Sequence, residues 1–263
     1  MKPPSPRHRP VVLLPPSKGK APGGAGPSYA EVVDRGPLGA ARRRVLAVVG
    51  AAASEVDDAA LARIAGVAAR DVAATRADLT ALEGAPTLPA RERYTGVVHG
   101  NARLAGIAPA SAAVEVVVLS ALLGAVQLDD PVPAYRLELA ASLPPLGGLA
   151  TFWRAALADH LARQLEGRQV LDLLPATHAR AVAPVVREVA EVVQVRFETP
   201  AGRAANAART KVAKGRLVAQ LVAADEPEHL DLTPTRLVTW LEPGEGWQFQ
   251  ARDPGTLVAV YRG

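Results

Sequence analysis

Three sets of charged residues stand at spacings that chemistry can use. Lys18 and Lys20 lie in a Gly/Pro-rich stretch just after the apolar run Val11 to Leu14. A loop leaving a strand is where binding residues concentrate, because the strand positions them. Two ammonium groups there suit a phosphate; they equally suit a pair of solvated lysines. No GxxxxGK[ST] pattern is present, so the loop is not a P-loop. Arg136 and Glu138 share a face of a stretch that alternates in strand fashion from Tyr135 to Leu139. A guanidinium beside a carboxylate makes either a ligand clamp or a structural ion pair. Lys211 and Lys214 stand at i and i+3 on a helical stretch with Arg216 two positions on, a row that can follow a nucleic-acid backbone or simply face water.

The absences narrow the chemistry. The 263 residues include no cysteine, which removes disulfides, thiolate metal sites and cysteine nucleophiles and makes reduced cytoplasm the expected compartment. Met1 is the only sulfur, so direct redox sensing through sulfur oxidation is not expected. His8, His99, His160, His178 and His229 show no HExxH or comparable spacing, and neither a metal nor another cofactor is expected. No GxSxG elbow occurs. An enzyme reading would use Lys18, Arg136, Glu138 and Asp172 on a phosphate-bearing substrate, with a carboxylate as general base.

Charge is unevenly spread. Residues 1–44 hold nine Lys and Arg against Glu31 and Asp34, residues 196–216 hold six against Glu198, and the remainder sums to −8 within a net charge of +4. Two basic blocks on an acidic chain suggest a localised surface for phosphates or nucleic acid, or two solvated segments that never meet. Val11 to Leu14 is too short for a signal-peptide core, and nothing approaches the roughly 20 apolar residues of a membrane span.

The elements that must position these residues follow from pattern and punctuation. Met1 to Pro10 is Pro-rich and basic and reads as a disordered tail, with one domain over 11–263. Val11 to Leu14 is a buried strand, and Ser17 to Ser28 a mobile Gly/Pro loop. Gly39 to Ala52, Asp58 to Ala65 and Arg70 to Leu82 have helical composition, as do the stretches from Gly148 to about Leu165 and from Lys211 to Ala224. Val114 to Leu119, Gln169 to Leu173 and Val192 to Glu198 read as strands, and Trp247 to Ala251 with Leu257 to Tyr261 as a hairpin. Strands and helices mix without a regular βαβ period, which predicts an α+β fold. Asp130 is a turn residue before Pro131, Arg42-Arg43-Arg44 decorates the outer side of its helix, Trp153 is a core aromatic, and Tyr94 is either core or a stacking platform.

Five stretches in order resemble the YaaA family of bacterial peroxide-stress proteins. They are Leu13-Leu14-Pro15-Pro16-Ser17-Lys18-Gly19-Lys20; Arg93-Tyr94-Thr95-Gly96; Leu119 to Gly124, continuing through Asp130 to Tyr135-Arg136-Leu137-Glu138 and Phe152-Trp153; Val170 to Leu173; and Lys211 to Leu217 around Lys214-Gly215-Arg216. The resemblance implies an α+β fold around a positively charged cleft, DNA binding, and survival of hydrogen peroxide by limiting free intracellular iron. It implies a helix-hairpin-helix-like element whose best candidate is the turn from Ser120 to Gly124, where backbone N–H groups would grip a phosphate. The phosphate-binding residues it implies are Lys18, Lys20, Ser120, Gly124, Arg136, Glu138, Lys211, Lys214 and Arg216. The chain departs from the family pattern at Ala121, Leu123, Gln127-Leu128, Pro175, His178 and Ala219.

The expectation is a monomeric α+β protein that binds double-stranded or distorted DNA independently of sequence and has no membrane partner. The alternative is an enzyme acting on a nucleotide or nucleic acid in the same cleft. A scaffold whose basic blocks meet an acidic protein is the third class.

Overall fold

The computed structural model describes residues 9–225 and 230–263. The expected tail falls, for residues 1–8, outside the described residues, as do His8 and His229. The strands in chain order are β1 (Val11–Leu14), β2 (Thr87–Pro89), β3 (Glu115–Ser120), β4 (Gly124–Gln127), β5 (Pro131–Pro133), β6 (Ser142–Leu143), β7 (Gly147–Gly148), β8 (Gln169–Asp172), β9 (Glu191–Glu198), β10 (Trp247–Asp253) and β11 (Thr256–Tyr261). Seven of them form one sheet in the order β10-β11-β9-β8-β1-β3-β4.

The four residues of β1 are all buried, the signature of a strand covered on both faces. It pairs in parallel with β3, Val11 opposite Glu115, and with β8, Val11 opposite Val170. The β8–β9 and β9–β11 pairs are parallel as well, while β4 and β10 are antiparallel edges. The sheet is therefore mixed, with its five central strands running one way. The irregular spacing in the sequence has a physical source. A single crossover between β1 and β3 carries α1 (Tyr29–Val32), α2 (Gly39–Glu55), α3 (Asp58–Ala65), α4 (Val72–Thr80), α5 (Ala90–Arg93) and α6 (Val97–Asn101).

The remaining helices are α7 (Leu149–Leu165), α8 (Ala176–Val189), α9 (Ala207–Val222) and α10 (Pro234–Trp240). The sequence reading has no element at α8. Pro175 stands at the N-cap, and Pro184 is taken inside an otherwise strongly amphipathic helix. Strand β4 and helix α10 are also additions to that reading.

Four local expectations are corrected. Ser120 to Gly124 is the turn of the β3–β4 hairpin, with a strand on either side, so no helix-hairpin-helix element stands there. Gly124 takes φ of 72°, and a Cβ on it would lie 2.6 Å from the Trp153 ring. Indole Nε1 of Trp153, fully buried as expected, donates to Ala121 O at 2.7 Å and closes the turn. Tyr135 to Leu139 has no ladder partner; the alternation survives, with Tyr135, Leu137 and Leu139 buried and Arg136 and Glu138 partly exposed.

The Gly/Pro stretch after β1 is not a free loop. Lys20 and Ser28 form isolated bridges with Tyr94 and Pro86, and Ala21 N donates to Arg93 O at 2.9 Å. The fastener is Arg93, wholly buried without a carboxylate partner among the described residues. Its guanidinium donates to the carbonyls of Val132 (2.9 Å), Gly23 (2.7 Å), Pro86 (3.0 Å) and Ala21. A cation caged by carbonyl dipoles avoids most of the several-kcal/mol desolvation penalty of an unpaired charge. The Arg42–Arg44 run is likewise structural. Arg42 donates to Leu123 O and Ala125 O at 2.9 and 3.0 Å, Arg43 pairs with Asp34, and Arg44 lies over Phe152 at 5.1 Å. Asp130 accepts from Gln127 N at 2.8 Å, the expected turn role.

Candidate phosphate-binding cavity

Strand β1 has β3 on one side and β8 on the other: the connection after β1 leads to β3, and the one after β4 crosses back to β8 on the far side. In open parallel sheets a crevice forms at the carboxyl ends of strands where the chain reverses in this way, and ligands bind there. A cavity of about 460 Å³ stands at that place, within the range of small-molecule sites. Its walls come from the loop after β1 (Pro15 to Lys20), from α6, from Ala121, from Tyr135 to Leu139, from Pro175 and His178, and from α9 through Lys211 and Lys214.

Helix α9 reaches the cavity because Gly215 lets it press on α6. A Cβ at Gly215 would lie 2.5 Å from Asn101 Cβ and 2.6 Å from Val98 O. Lys214 then donates to Leu173 O, just beyond β8, at 2.7 Å. Burial lowers the pKa of Lys214, against the pull of the Asp172 carboxylate. Burial in turn raises that of Asp172, which accepts from Leu174 N at 2.9 Å. Lys211, one turn earlier, is exposed at the rim.

The Arg136–Glu138 pairing does not form. Glu138 instead meets Lys18, Nζ to Oε1 at 2.8 Å. Arg136 lines the cavity with no hydrogen bond or ion pair among the described residues. Lys20 donates to Ser17 O at 2.9 Å and stands 4.0 Å over the Tyr135 ring. Desolvation, helped by the nearby Arg136 and Arg93 charges, lowers its pKa to about 7.

Buried polar groups stand in and behind the walls. Ser120 Oγ accepts from Leu122 N (3.2 Å) and Leu123 N (3.0 Å), which fills both lone pairs. Its proton therefore goes to Tyr135 Oη at 2.7 Å, and Tyr135 in turn meets Tyr94 Oη at 3.2 Å. Tyr94 is thereby core, not a stacking platform. Burial pushes Tyr94 up to about 12 and Tyr135 well above its ordinary range. His99 Nε2 lies 3.0 Å from Pro15 O. A carbonyl only accepts, so Nε2 carries the proton and Nδ1 is a buried acceptor with no partner. Burial holds His99 down at about 4, so the ring is neutral. His178, also depressed by burial, leaves its Nδ1 unpartnered too.

The sequence pattern described as peroxide stress protein YaaA matches residues 11–242. The chain belongs to this family. A UPF0246 protein of Streptomyces coelicolor is 35% identical over 81% of this chain and 83% of its own length. UPF0246 proteins of Corynebacterium glutamicum and Corynebacterium efficiens are each 31% identical, over 72% and 73% of this chain and 74% and 75% of theirs.

The YaaA-like stretches divide by role once they are placed. Lys18 and Lys20, Arg136 and Glu138, and Lys211 and Lys214 are brought together from three distant segments to line the cavity. Arg93 and Tyr94 are the buried frame behind it. Ser120 and Gly124 stand beneath it, and the N–H groups expected to grip a phosphate are already taken by Ser120 itself. Arg216 lies away from the cavity, exposed, near Gly244. Asp172 is outside the lining, which leaves Glu138 as the cavity carboxylate. His178, a departure from the YaaA pattern in the sequence, is a wall residue. Among the described residues no helix is long and apolar enough to cross a membrane.

Proposed function

We propose that the chain binds DNA through its phosphates, without reading sequence, as part of the cell's response to peroxide. The observation that carries this reading is the convergence of Lys18, Lys20, Arg136, Lys211 and Lys214 on one cavity that holds a single carboxylate, Glu138. Arg136 and Lys211 line the cavity without a hydrogen-bond or ion-pair partner among the described residues and are the natural phosphate contacts. No helix with base-reading side chains is required, so contact is with the backbone of double-stranded or distorted DNA. The link to lower free iron comes with the family resemblance. It is an indirect effect in this reading, since among the described residues no three His, Asp or Glu stand together as metal ligands.

Fluorescence anisotropy of labelled duplex and bubble DNA across a salt series tests the proposal. Affinity should fall steeply with salt and ignore sequence, and Arg136→Ala or Lys211→Ala should each reduce the salt slope by about 1. Absence of binding at low salt removes the DNA reading.

A second reading has its own observation. Glu138, Lys18 and Arg136 line one cavity with a lysine and a histidine of displaced pKa, which is how an active site is built. On that reading the cavity takes a nucleotide, and Glu138 is the general base.

A further inference from the structure

The chain has five lysines against twenty-five arginines, and four of the five line this cavity. Arginine serves almost everywhere else that this protein needs a cation. A guanidinium binds phosphate at least as well as an ammonium, so charge alone does not account for the choice. What an amine has and a guanidinium lacks is a lone pair within reach of neutral pH.

The four differ in what holds them. Lys18 is paired with Glu138 at 2.8 Å, and Lys214 is fixed on Leu173 O beside Asp172. Lys211 is exposed at the rim. Lys20 is half-buried between two aromatic faces, at 4.0 Å from Tyr135 and 5.6 Å from Tyr94, and among the described residues its one hydrogen-bond acceptor is Ser17 O. The cations nearest to it, Arg136 and Arg93, repel a proton, which is the arrangement that activates a lysine as a nucleophile.

We propose that Lys20 forms an imine with the carbonyl group of a small phosphorylated aldehyde or ketone whose phosphate is held by Arg136 and Lys211. The neutral amine adds to the carbonyl carbon to give a carbinolamine. Both amine hydrogens leave with the carbonyl oxygen as water, and a C=N bond replaces C=O, so no oxidant or reductant is consumed. Tyr135, whose oxygen takes the Ser120 proton and meets Tyr94 Oη at 3.2 Å, presents its ring face to the amine. The inference goes beyond DNA binding and stands without it.

Pyridoxal 5′-phosphate with borohydride reduction is the probe, read by peptide mass spectrometry on the full chain at pH 7.5. Lys20 should carry the reduced adduct roughly ten-fold faster than Lys211, the exposed lysine at the rim. Excess inorganic phosphate should suppress that excess rate, and pyridoxal without the phosphate should not show it. Arg136→Gln, which removes the phosphate contact and one of the charges that repel the Lys20 proton, should slow labelling of Lys20 and abolish the advantage of the phosphorylated probe. Equal labelling of Lys20 and Lys211, or equal rates for pyridoxal and its phosphate, would overturn the proposal. The measurement on wild type needs no variant to fold. Anisotropy with DNA on the same preparation separates the two ideas: selective labelling without DNA binding upholds the imine and removes the DNA reading.

Discussion

The hydroxyl oxygens of Ser120 and Tyr135 lie 2.7 Å apart, and only one of them is free to give the proton. Because Ser120 already accepts two backbone N–H groups, the two residues are unequal partners. Ser120→Ala should cost about 2–4 kcal/mol, since it strands two buried N–H donors, whereas Tyr135→Phe should cost about 1 kcal/mol. Urea unfolding of the two variants checks the order. A reversed order would mean that Tyr135 is the donor.

Arg93 should be the most damaging single truncation among the family's recognisable residues. Arg93→Ala leaves four carbonyls without a donor and frees the loop from Ser17 to Ser28, a loss of about 3 kcal/mol or more. Arg93→Lys keeps the charge but not the fork, and should recover only part of that loss in chemical denaturation.

Gly215→Val tests the seating of α9. Its side chain meets Asn101 and the Val98 carbonyl, so α9 must lift from α6. The expected cost is about 1–3 kcal/mol by thermal or urea unfolding. Lys214 should lose its contact with Leu173 O, which hydrogen exchange after β8 would register as faster opening.

Acid should unfold the protein partly through His99. Its folded pKa of about 4 lies below the ordinary 6.5, so the native state resists the proton. Stability is whole above pH 6.5 and falls as pH drops through 4, by about 3 kcal/mol for a shift of this size. His99→Gln keeps a donor for Pro15 O and does not titrate. Its stability should decline less than that of wild type between pH 6.5 and 4 in parallel denaturation series; identical profiles would contradict the assignment.

The elements were largely legible wherever local pattern decides them. The apolar run at β1, the β-branched run at β3 and the helices from Gly39 to Thr80 all stand where composition puts them. The site was legible as a set of cations, but not as a place, since parallel pairing joins Val11 to Glu115 and to Val170 with nothing local to announce it. Arg136 and Glu138 were rightly put on one side, yet the partner of Glu138 comes from the loop after β1, a tertiary fact. Arg93 reads as a charged motif residue and is core. His99 gave no sign because its role depends on a single carbonyl, Pro15 O. The scarcity of lysine was the one unused signal.

The order in which the walls are made during synthesis follows from the place of β1. Of the cavity walls, the loop bearing Lys20 leaves the ribosome before the others, and α9 with Lys211 and Lys214 after them. Between the two, β1 waits more than a hundred residues for its first sheet neighbour. Until then its four apolar residues are an unclaimed strand, and contacts of such long range make slow folders. The cavity is thus absent from every nascent fragment that ends before α9 has emerged.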